Sequence, residues 1–435
     1  MFWDEKNETM GAEELKLLQR DRLRETFARC GQSAFYRDVF LKNRVRGIND
    51  FSDLAKIPFT TKDDLRNGFP LGFLCCPLED VVRLHSSSGT TGNPTVVYHT
   101  KGDIDTWADL MARSLFMAGV RKTDVFQNMM GYGLFTGGLG MHYGAERLGC
   151  LTIPVGPGNS KRQIWFLKNF KATAMHVLPS YALHLRGYFS DPDADCKPSD
   201  LKLRFAFIGA EPHSEAMRRE IEKAYAIKAF NSYGLSEMCG PGVAFECPEQ
   251  DGMHVWEDHF YAEVVDPATG QPLPDGEEGE LVLTSLKREA MPLLRYRTRD
   301  LTRIIPSACA CGRTHRRIDR IKGRTDDMLI INGVNLFPMQ IEKTLMKSPG
   351  VGTNYTVEIA KENFMDRICV SVEVRPGVFK GTIEDLERLR ASLAAALKAE
   401  LGVTVTVRLA EPGSLPVSEG KAQRVLDKRR TQAGN

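Results

Sequence analysis

The chain has 435 residues, 42% hydrophobic and 26% charged, the balance of a soluble globular protein and too long for one ordinary core. Its 58 basic and 56 acidic side chains leave a net charge of +2, which supports neither a nucleic-acid groove nor a polybasic membrane patch. No run of about 18 apolar residues occurs, so no membrane span is expected.

The opening residues, MFWDEKNETMGAEELKLLQRDRLRETF, are charged and helix-like and lack the apolar core of a signal peptide. Residues 11–44 read as helices, with Leu15, Leu17, Leu18, Leu23 and Phe27 at roughly helical spacing. Thr61, with Asp64 three residues on, is the capping box of a short helix. Next comes SSSGTTGNP at 86–94, between the β-like runs VVRLH and TVVYHT. Successive glycines and hydroxyl residues let backbone N–H groups turn inward as an anion-binding nest, and a phosphate chain is its natural guest. The Walker pattern with its lysine is absent, which excludes an ordinary P-loop NTPase.

From 125 to 225, short β-like runs alternate with helical ones, which predicts a mainly parallel sheet covered by helices. After about residue 255 the runs HFYAEVVDP, EGELVLTSL and TRDLTRII predict a small antiparallel or barrel-like unit. Residues 328–435 change texture again: a helix near 337–347, strands at 352–360 and 366–375, a helix at 382–400 and a strand at 403–409. Thr382 and Asp385 cap the long helix, whose stripe is Leu386, Leu389, Leu393 and Leu397. The expected fold is α/β, with a large N-terminal domain over 1–325, its added β-barrel-like unit, and a small α+β domain over 326–435. Ten cysteines scattered along so long a chain predict reduced thiols and a cytoplasmic setting.

SSSGTTGNP resembles the phosphate loop of the adenylate-forming superfamily of acyl-CoA synthetases. GAEP at 209–212, NSYGLSE at 231–237, RYRTRD at 295–300, GRTDD at 323–327 and SEGKAQRV at 418–425 follow in the family's order. FWDEKNETM, IPFTTKDDLR, GYGLFTGGLGMHYGAERLG, GPGVAFEC and WEDHFY are similar to phenylacetate–CoA ligases within it. That resemblance implies an acid–thiol ligase that forms AMP: a carboxylate attacks the α-phosphorus of ATP, pyrophosphate leaves, and the thiol of CoA then displaces AMP. The small domain is implied to be mobile, turning about a hinge at Asp326 between the two steps.

The resemblance also implies the site. Ser87, Ser88, Gly89, Thr90, Thr91 and Gly92 would hold the β- and γ-phosphates. Asn93 stands where many relatives carry lysine. Glu237 would hold Mg²⁺, a hard ion that takes oxygen ligands. Gly209, Ala210, Glu211 and Pro212 with Asn231, Ser232, Tyr233 and Gly234 would frame the adenine. Asp300 would take the ribose diol, since a carboxylate accepts two hydrogen bonds, and Arg324 would add a ribose or phosphate contact. Lys421 would stabilise charge in the adenylation transition state. Gly333 and Asn335 would line the CoA tunnel. Tyr132, Phe135 and Gly137, floored by Ala210, would form the acid pocket.

Cys247, His254, Cys309 and Cys311 form a Cys₃His set of the kind that holds structural Zn²⁺, with His315 as a substitute ligand. The partners implied are an aryl acid, ATP and CoA, with no nucleic acid and no membrane, and a homodimer through the N-terminal region. Phenylacetate leads; benzoate-, anthranilate- and indole-type acids, a carrier-protein pantetheine as acceptor, and a non-catalytic nucleotide-binding relative are the alternatives.

Overall fold

The computed structural model describes residues 1–86, 93–189, 196–211, 213–327, 329–332, 334–362, 365–379, 382–416 and 424–430. It opens with helices α1 (Glu5–Glu8), α2 (Ala12–Cys30), α3 (Ala34–Lys42) and α4 (Lys62–Asn67). The Thr61–Asp64 capping box is present at the head of α4. Strands β1 (Val81–Ser86) and β2 (Val96–Thr100) pair antiparallel, Ser86 opposite Val96, so residues 87–92 join the two arms of a hairpin. Then follow α5 (Lys101–Ala118), β3 (Val125–Asn128), α6 (Thr136–Leu148), β4 (Leu151–Ile153), α7 (Ser160–Asn169), β5 (Ala174–Val177), α8 (Pro179–Tyr188), β6 (Phe205–Ile208), α9 (Glu215–Tyr225) and β7 (Lys228–Leu235).

These strands build the predicted parallel sheet, in the order β4-β3-β5-β6-β7 reversed from its edge. Side chains alternate between two cores, as the two-residue period of a strand requires. Ala174, Phe207 and Phe230 join Trp107, Met111 and Met141 on one face. Met175, Val177, Ala206, Ile208 and Ala229 join Ile164, Leu167, Met217 and Ile221 on the other. On the first face α5 and α6 pack so closely that a Cβ on Gly144 would sit 2.3 Å from that of Met111. Strands β8 (Gly240–Glu246) and β9 (Met253–Val255) extend the sheet antiparallel, ahead of the distant β13 (Ile304–Ile305) and β14 (Arg317–Ile318).

The unit expected to be barrel-like is an open sheet. Strands β10 (Phe260–Val265), β11 (Gly279–Ser285), β12 (Tyr296–Thr302) and β15 (Gly323–Arg324) pair antiparallel in that order, and β10 and β15 are its two edges. Past it come β16 (Leu329–Ile331), β17 (Val334–Leu336), α10 (Pro338–Met346), β18 (Val351–Glu362), β19 (Met365–Val374), α11 (Pro376–Phe379), α12 (Ile383–Leu401), β20 (Val405–Ala410) and β21 (Val425–Asp427). The last four-stranded sheet runs β20-β19-β18-β21 and packs on α10 and α12 over a core of its own. Leu393, Leu397 and Leu401 are the buried stripe of α12.

The N-terminal segment is clasped by a distant loop. The buried carboxylate of Glu8 accepts from Arg313 Nε at 2.6 Å and from the backbone N–H of Trp3 and Asp4 at 2.8 Å each. Thr314 N–H donates to the Glu8 carbonyl at 3.1 Å. No helix among the described residues is long and apolar enough to cross a membrane.

Candidate active site and metal centre

The candidate residues gather at the C-terminal ends of β3, β5, β6 and β7, the edge at which open parallel sheets take ligands. The base of the β1–β2 hairpin is pinned there. Ser86 N–H and His85 Nδ1 both reach the carbonyl of Leu134, each at 3.0 Å, so the hairpin and the loop after β3 are tied together. Ser87, Ser88, Gly89, Thr90, Thr91 and Gly92 lie outside the described residues; Asn93 is exposed just past them. Pro212, Gly333 and Lys421 also lie outside them.

Beyond β6, Gly209 lies so close to β7 that a Cβ would meet the Ser232 carbonyl at 2.7 Å. Ala210 then adopts φ +64°, a left-handed conformation that costs an L-residue energy and clusters at functional sites. Glu211 turns back to accept the N–H of Ser180 at 2.6 Å, in the first turn of α8. Asn231 is held on Glu246, which accepts its backbone N–H at 2.7 Å and its side-chain amide at 2.6 Å. At Gly234 a side chain is impossible: a Cβ would fall 1.8 Å from the Gly240 carbonyl, where β7 bulges against β8.

One connected chain of side chains crosses the site. The Tyr233 hydroxyl donates to Asp300 Oδ2 at 2.6 Å, and Arg324 Nη1 donates to Asp300 Oδ1 at 2.9 Å. The other arms of Arg324 grip Asp326, Nε to Oδ1 at 2.8 Å and Nη2 to Oδ2 at 2.9 Å. Asp300 is only 8% exposed. Burial raises its carboxyl pKa, against the opposing pull of Arg324 and Tyr233. Burial, then Asp300, drive the Tyr233 hydroxyl well above its usual range. The expected ribose ligand, its guanidinium neighbour and the expected hinge are therefore one network.

Glu237 sits in a short turn between β7 and β8 and is buried. Burial, then Glu237, raise the pKa of the neighbouring Tyr296 hydroxyl, and Lys62 Nζ, at the head of α4, lies 3.6 Å from Glu237 Oε1. Nothing in the local sequence marks Lys62, yet it sets a cation beside the carboxylate expected to hold Mg²⁺. The loop after β3 meets this turn where Thr136 Oγ1 contacts Ser236 Oγ at 3.1 Å. In that loop Tyr132 is tethered: its hydroxyl accepts Asn128 Nδ2 at 2.9 Å and meets His142 Nδ1 at 3.2 Å. Burial pushes its pKa up to about 12. Phe135 is 56% exposed at the head of α6, with Gly137 in the first turn. Asn128 is a second residue that sequence reasoning missed, since its amide also binds the Gly138 carbonyl and His176. Asn335, on β17, pairs with Ile330.

Away from this cleft, Cys247, His254, Cys309 and Cys311 bring four ligand atoms within 4.8 Å of one another. Cys247 Sγ lies 3.6 Å from Cys309 Sγ, and Cys311 Sγ 3.3 Å from His254 Nε2. A tetrahedral ion with Zn–S of about 2.3 Å sets its ligands about 3.5–3.8 Å apart, so the residues fit Zn²⁺. His254 Nδ1 is occupied by the His315 carbonyl at 2.9 Å, the outer hydrogen bond that fixes a metal-binding imidazole. Hydrogen bonds from His254 and Cys247 lower the Cys309 and Cys311 thiols respectively, toward the thiolate a metal needs. His315 is not a substitute ligand. Its ring is taken by the Asn7 carbonyl at 2.9 Å and the Glu257 N–H at 3.2 Å, and it belongs to the N-terminal clasp.

Residues 53–286 match the family model of the AMP-binding enzymes, and 333–429 that of their C-terminal domain. The chain is 44% identical to the phenylacetate–coenzyme A ligase of Thermus thermophilus, over 99% of its own length and 100% of the relative's. It is 45% identical to that of Escherichia coli over 97% of each. Among solved structures, 2-hydroxyisobutyryl-CoA ligase in its postadenylation state superposes with a TM-score of 0.92 at 29% identity, covering 98% of this chain and 92% of that one. The same relative with CoA, in its thioesterification state, gives 0.72 at 30% identity over 99% and 94%.

Proposed function

The chain belongs to the phenylacetate–CoA ligase family of adenylate-forming enzymes, and from that premise we propose that phenylacetate is its acid and free CoA its acceptor. It is an AMP-forming acid–CoA ligase that activates its acid with ATP. The Tyr233–Asp300–Arg324 network at the C-terminal edge of the sheet carries the reading of the site, because it offers a buried carboxylate to a diol.

Two displacements make up the reaction. A carboxylate oxygen attacks the α-phosphorus, and the bond to pyrophosphate breaks. The thiolate of CoA then attacks the acyl carbon and AMP leaves with the bonding pair. Asp300 orients the nucleotide by its ribose, and Arg324 holds Asp300 from behind. The loop at 87–92 takes the terminal phosphates through N–H and hydroxyl groups. Lys421 supplies positive charge where the carboxylate meets the α-phosphate, a term realised most fully in the transition state. Mg²⁺, when bound at Glu237, neutralises phosphate charge; one carboxylate with waters suits it. Lys62, 3.6 Å from the Glu237 carboxylate, adds a positive charge beside it. Tyr132 and Phe135, over Gly137 and Ala210, form the walls and floor of the acid pocket, and Gly333 and Asn335 border the path of CoA. The boundary between the large and small domains lies at Asp326. A homodimer through the N-terminal region and a cytoplasmic setting belong to the same reading, and all ten cysteines are free of disulfides.

Incubation with ATP, Mg²⁺ and a panel of aryl acids, with and without CoA, tests this function. AMP release that is fastest with phenylacetate and depends on CoA is expected. Pyrophosphate exchange without CoA-dependent turnover would assign another acceptor.

Cys247, His254, Cys309 and Cys311 would hold a structural Zn²⁺, which ties the 309–311 loop to the large sheet. About one zinc per chain is expected by elemental analysis, falling below about a tenth in Cys311→Ser, with a lower melting temperature. Wild-type protein without zinc would remove the site.

A further inference from the structure

A buried carboxylate joins the small domain to the large one. Glu342, on α10, is 2% exposed, and its Oε1 accepts the backbone N–H of Ser214 at 2.8 Å. Ser214 is the N-cap of α9, an eleven-residue helix of the large domain (Glu215–Tyr225). The other oxygen, Oε2, accepts the Tyr355 hydroxyl at 3.1 Å. A carboxylate withdrawn from water needs such donors, and a helix N-terminus adds a favourable dipole. Farther along the same interface, Arg375 Nη2 lies 3.6 Å from Glu220, also on α9.

The contact continues through the small domain to Arg424. Buried Tyr355, on β18, carries Arg424 over its ring, with the guanidinium carbon 4.3 Å from the centroid. The Arg424 carbonyl accepts the N–H of Val357 at 2.7 Å, and its guanidinium reaches the Thr353 carbonyl at 3.3 Å. Arg424 follows directly on the 417–423 segment that contains Lys421. A path of packed groups thus runs from the N-cap of α9 through Glu342, Tyr355 and Arg424 to the base of that segment.

The interdomain arrangement is specific. Against one relative, at almost equal coverage, this chain scores 0.92 in the postadenylation state and 0.72 in the thioesterification state. The Glu342–Ser214 bond therefore belongs to an arrangement that the relative leaves when it engages CoA. A contact made in one of two states biases the equilibrium between them by its own free energy.

We propose that Glu342 is a positioning residue: by docking on the N-terminus of α9 it holds the small domain in the arrangement this chain shares with the relative's postadenylation state, on the adenylate side of the reaction, and it must release before the CoA step. This deepens the reading of the chain as an adenylate-forming ligase and rests on it. Glu342 touches no substrate, and its effect falls on one half-reaction.

The test measures the two half-reactions separately on the full-length protein. One arm follows pyrophosphate release from ATP and phenylacetate in a single turnover without CoA. The other follows thioester formation from chemically prepared phenylacetyl-adenylate and CoA. Glu342→Ala is expected to slow the first about tenfold or more, the scale of a hydrogen bond to a charged acceptor, and to leave the second equal or faster. Glu342→Gln, which keeps an acceptor for Ser214, should recover most of the loss. Tyr355→Phe, which keeps the docking bond but cuts the link from Glu342 to Tyr355 and Arg424, should slow the first arm alone. Hydrogen exchange at the first turn of α9 should rise in Glu342→Ala and not in Tyr355→Phe. Equal loss in both arms, or no change in either, would overturn the proposal. Wild type silent with every acid would instead sink the ligase reading, and the exchange arm would still decide the docking contact.

Discussion

Lys421→Ala should slow acyl-adenylate formation by a factor of about 10²–10³, the cost of removing one preorganised charge-stabilising donor, about 3–4 kcal/mol. The carboxylate and the α-phosphate are both anionic, and their approach concentrates negative charge where it cannot be shared with water. A lysine there favours the transition state more than either ground state, so the loss falls on kcat and leaves ATP binding nearly intact. Thioester formation from supplied acyl-adenylate should survive in the same variant. Rapid-quench measurement of the adenylate beside ATP titration separates the two effects. An unchanged adenylation rate would take Lys421 out of the mechanism.

Asp300→Asn should weaken ATP binding by about a hundredfold, because a hydrogen bond to a charged acceptor contributes about 1.5–3 kcal/mol and the amide keeps only one of the two oxygens that accept from a diol. The substitution also disturbs the protein. Arg324 would keep Asp326 but lose its buried partner, and the Tyr233 hydroxyl would face an amide in place of a carboxylate. Removing one member of a buried ion pair leaves the other incompletely compensated, so a fall in melting temperature should accompany the loss of affinity. Calorimetry with ATP on the folded variant reads the binding term alone. Wild-type affinity there would remove Asp300 from the nucleotide site.

What the sequence made legible was mostly local. The capping boxes at Thr61–Asp64 and Thr382–Asp385 need partners only three residues apart, and both form as read. The alternation of strand and helix from 125 to 225 was equally readable, because each element carries its own period. Long-range partnerships were not. Lys62 reaches Glu237 across most of the large domain, and no spacing rule connects them. Whether β10 to β15 close into a barrel depends on edge pairing, which alternation within single strands does not encode. His315 has the residue type and the nearby cysteines of a ligand, yet its ring is claimed by a backbone carbonyl at Asn7. Motifs placed Tyr233 near the nucleotide; only the fold puts its hydroxyl on Asp300.

The clasp on the N-terminal segment has a meaning in time as well as in space. Glu8 and Arg313 are 305 residues apart in the chain. At a synthesis rate of about 5–20 residues per second, Glu8 leaves the ribosome roughly fifteen seconds to a minute before its partner exists. Through that interval the N-terminal segment can meet α5, through Trp3 Nε1 on Asp109 at 3.1 Å, but not the partner of its buried carboxylate. Closure of the large domain therefore comes late in translation, when the 309–315 loop emerges and fastens the oldest residues of the nascent chain to some of its newest.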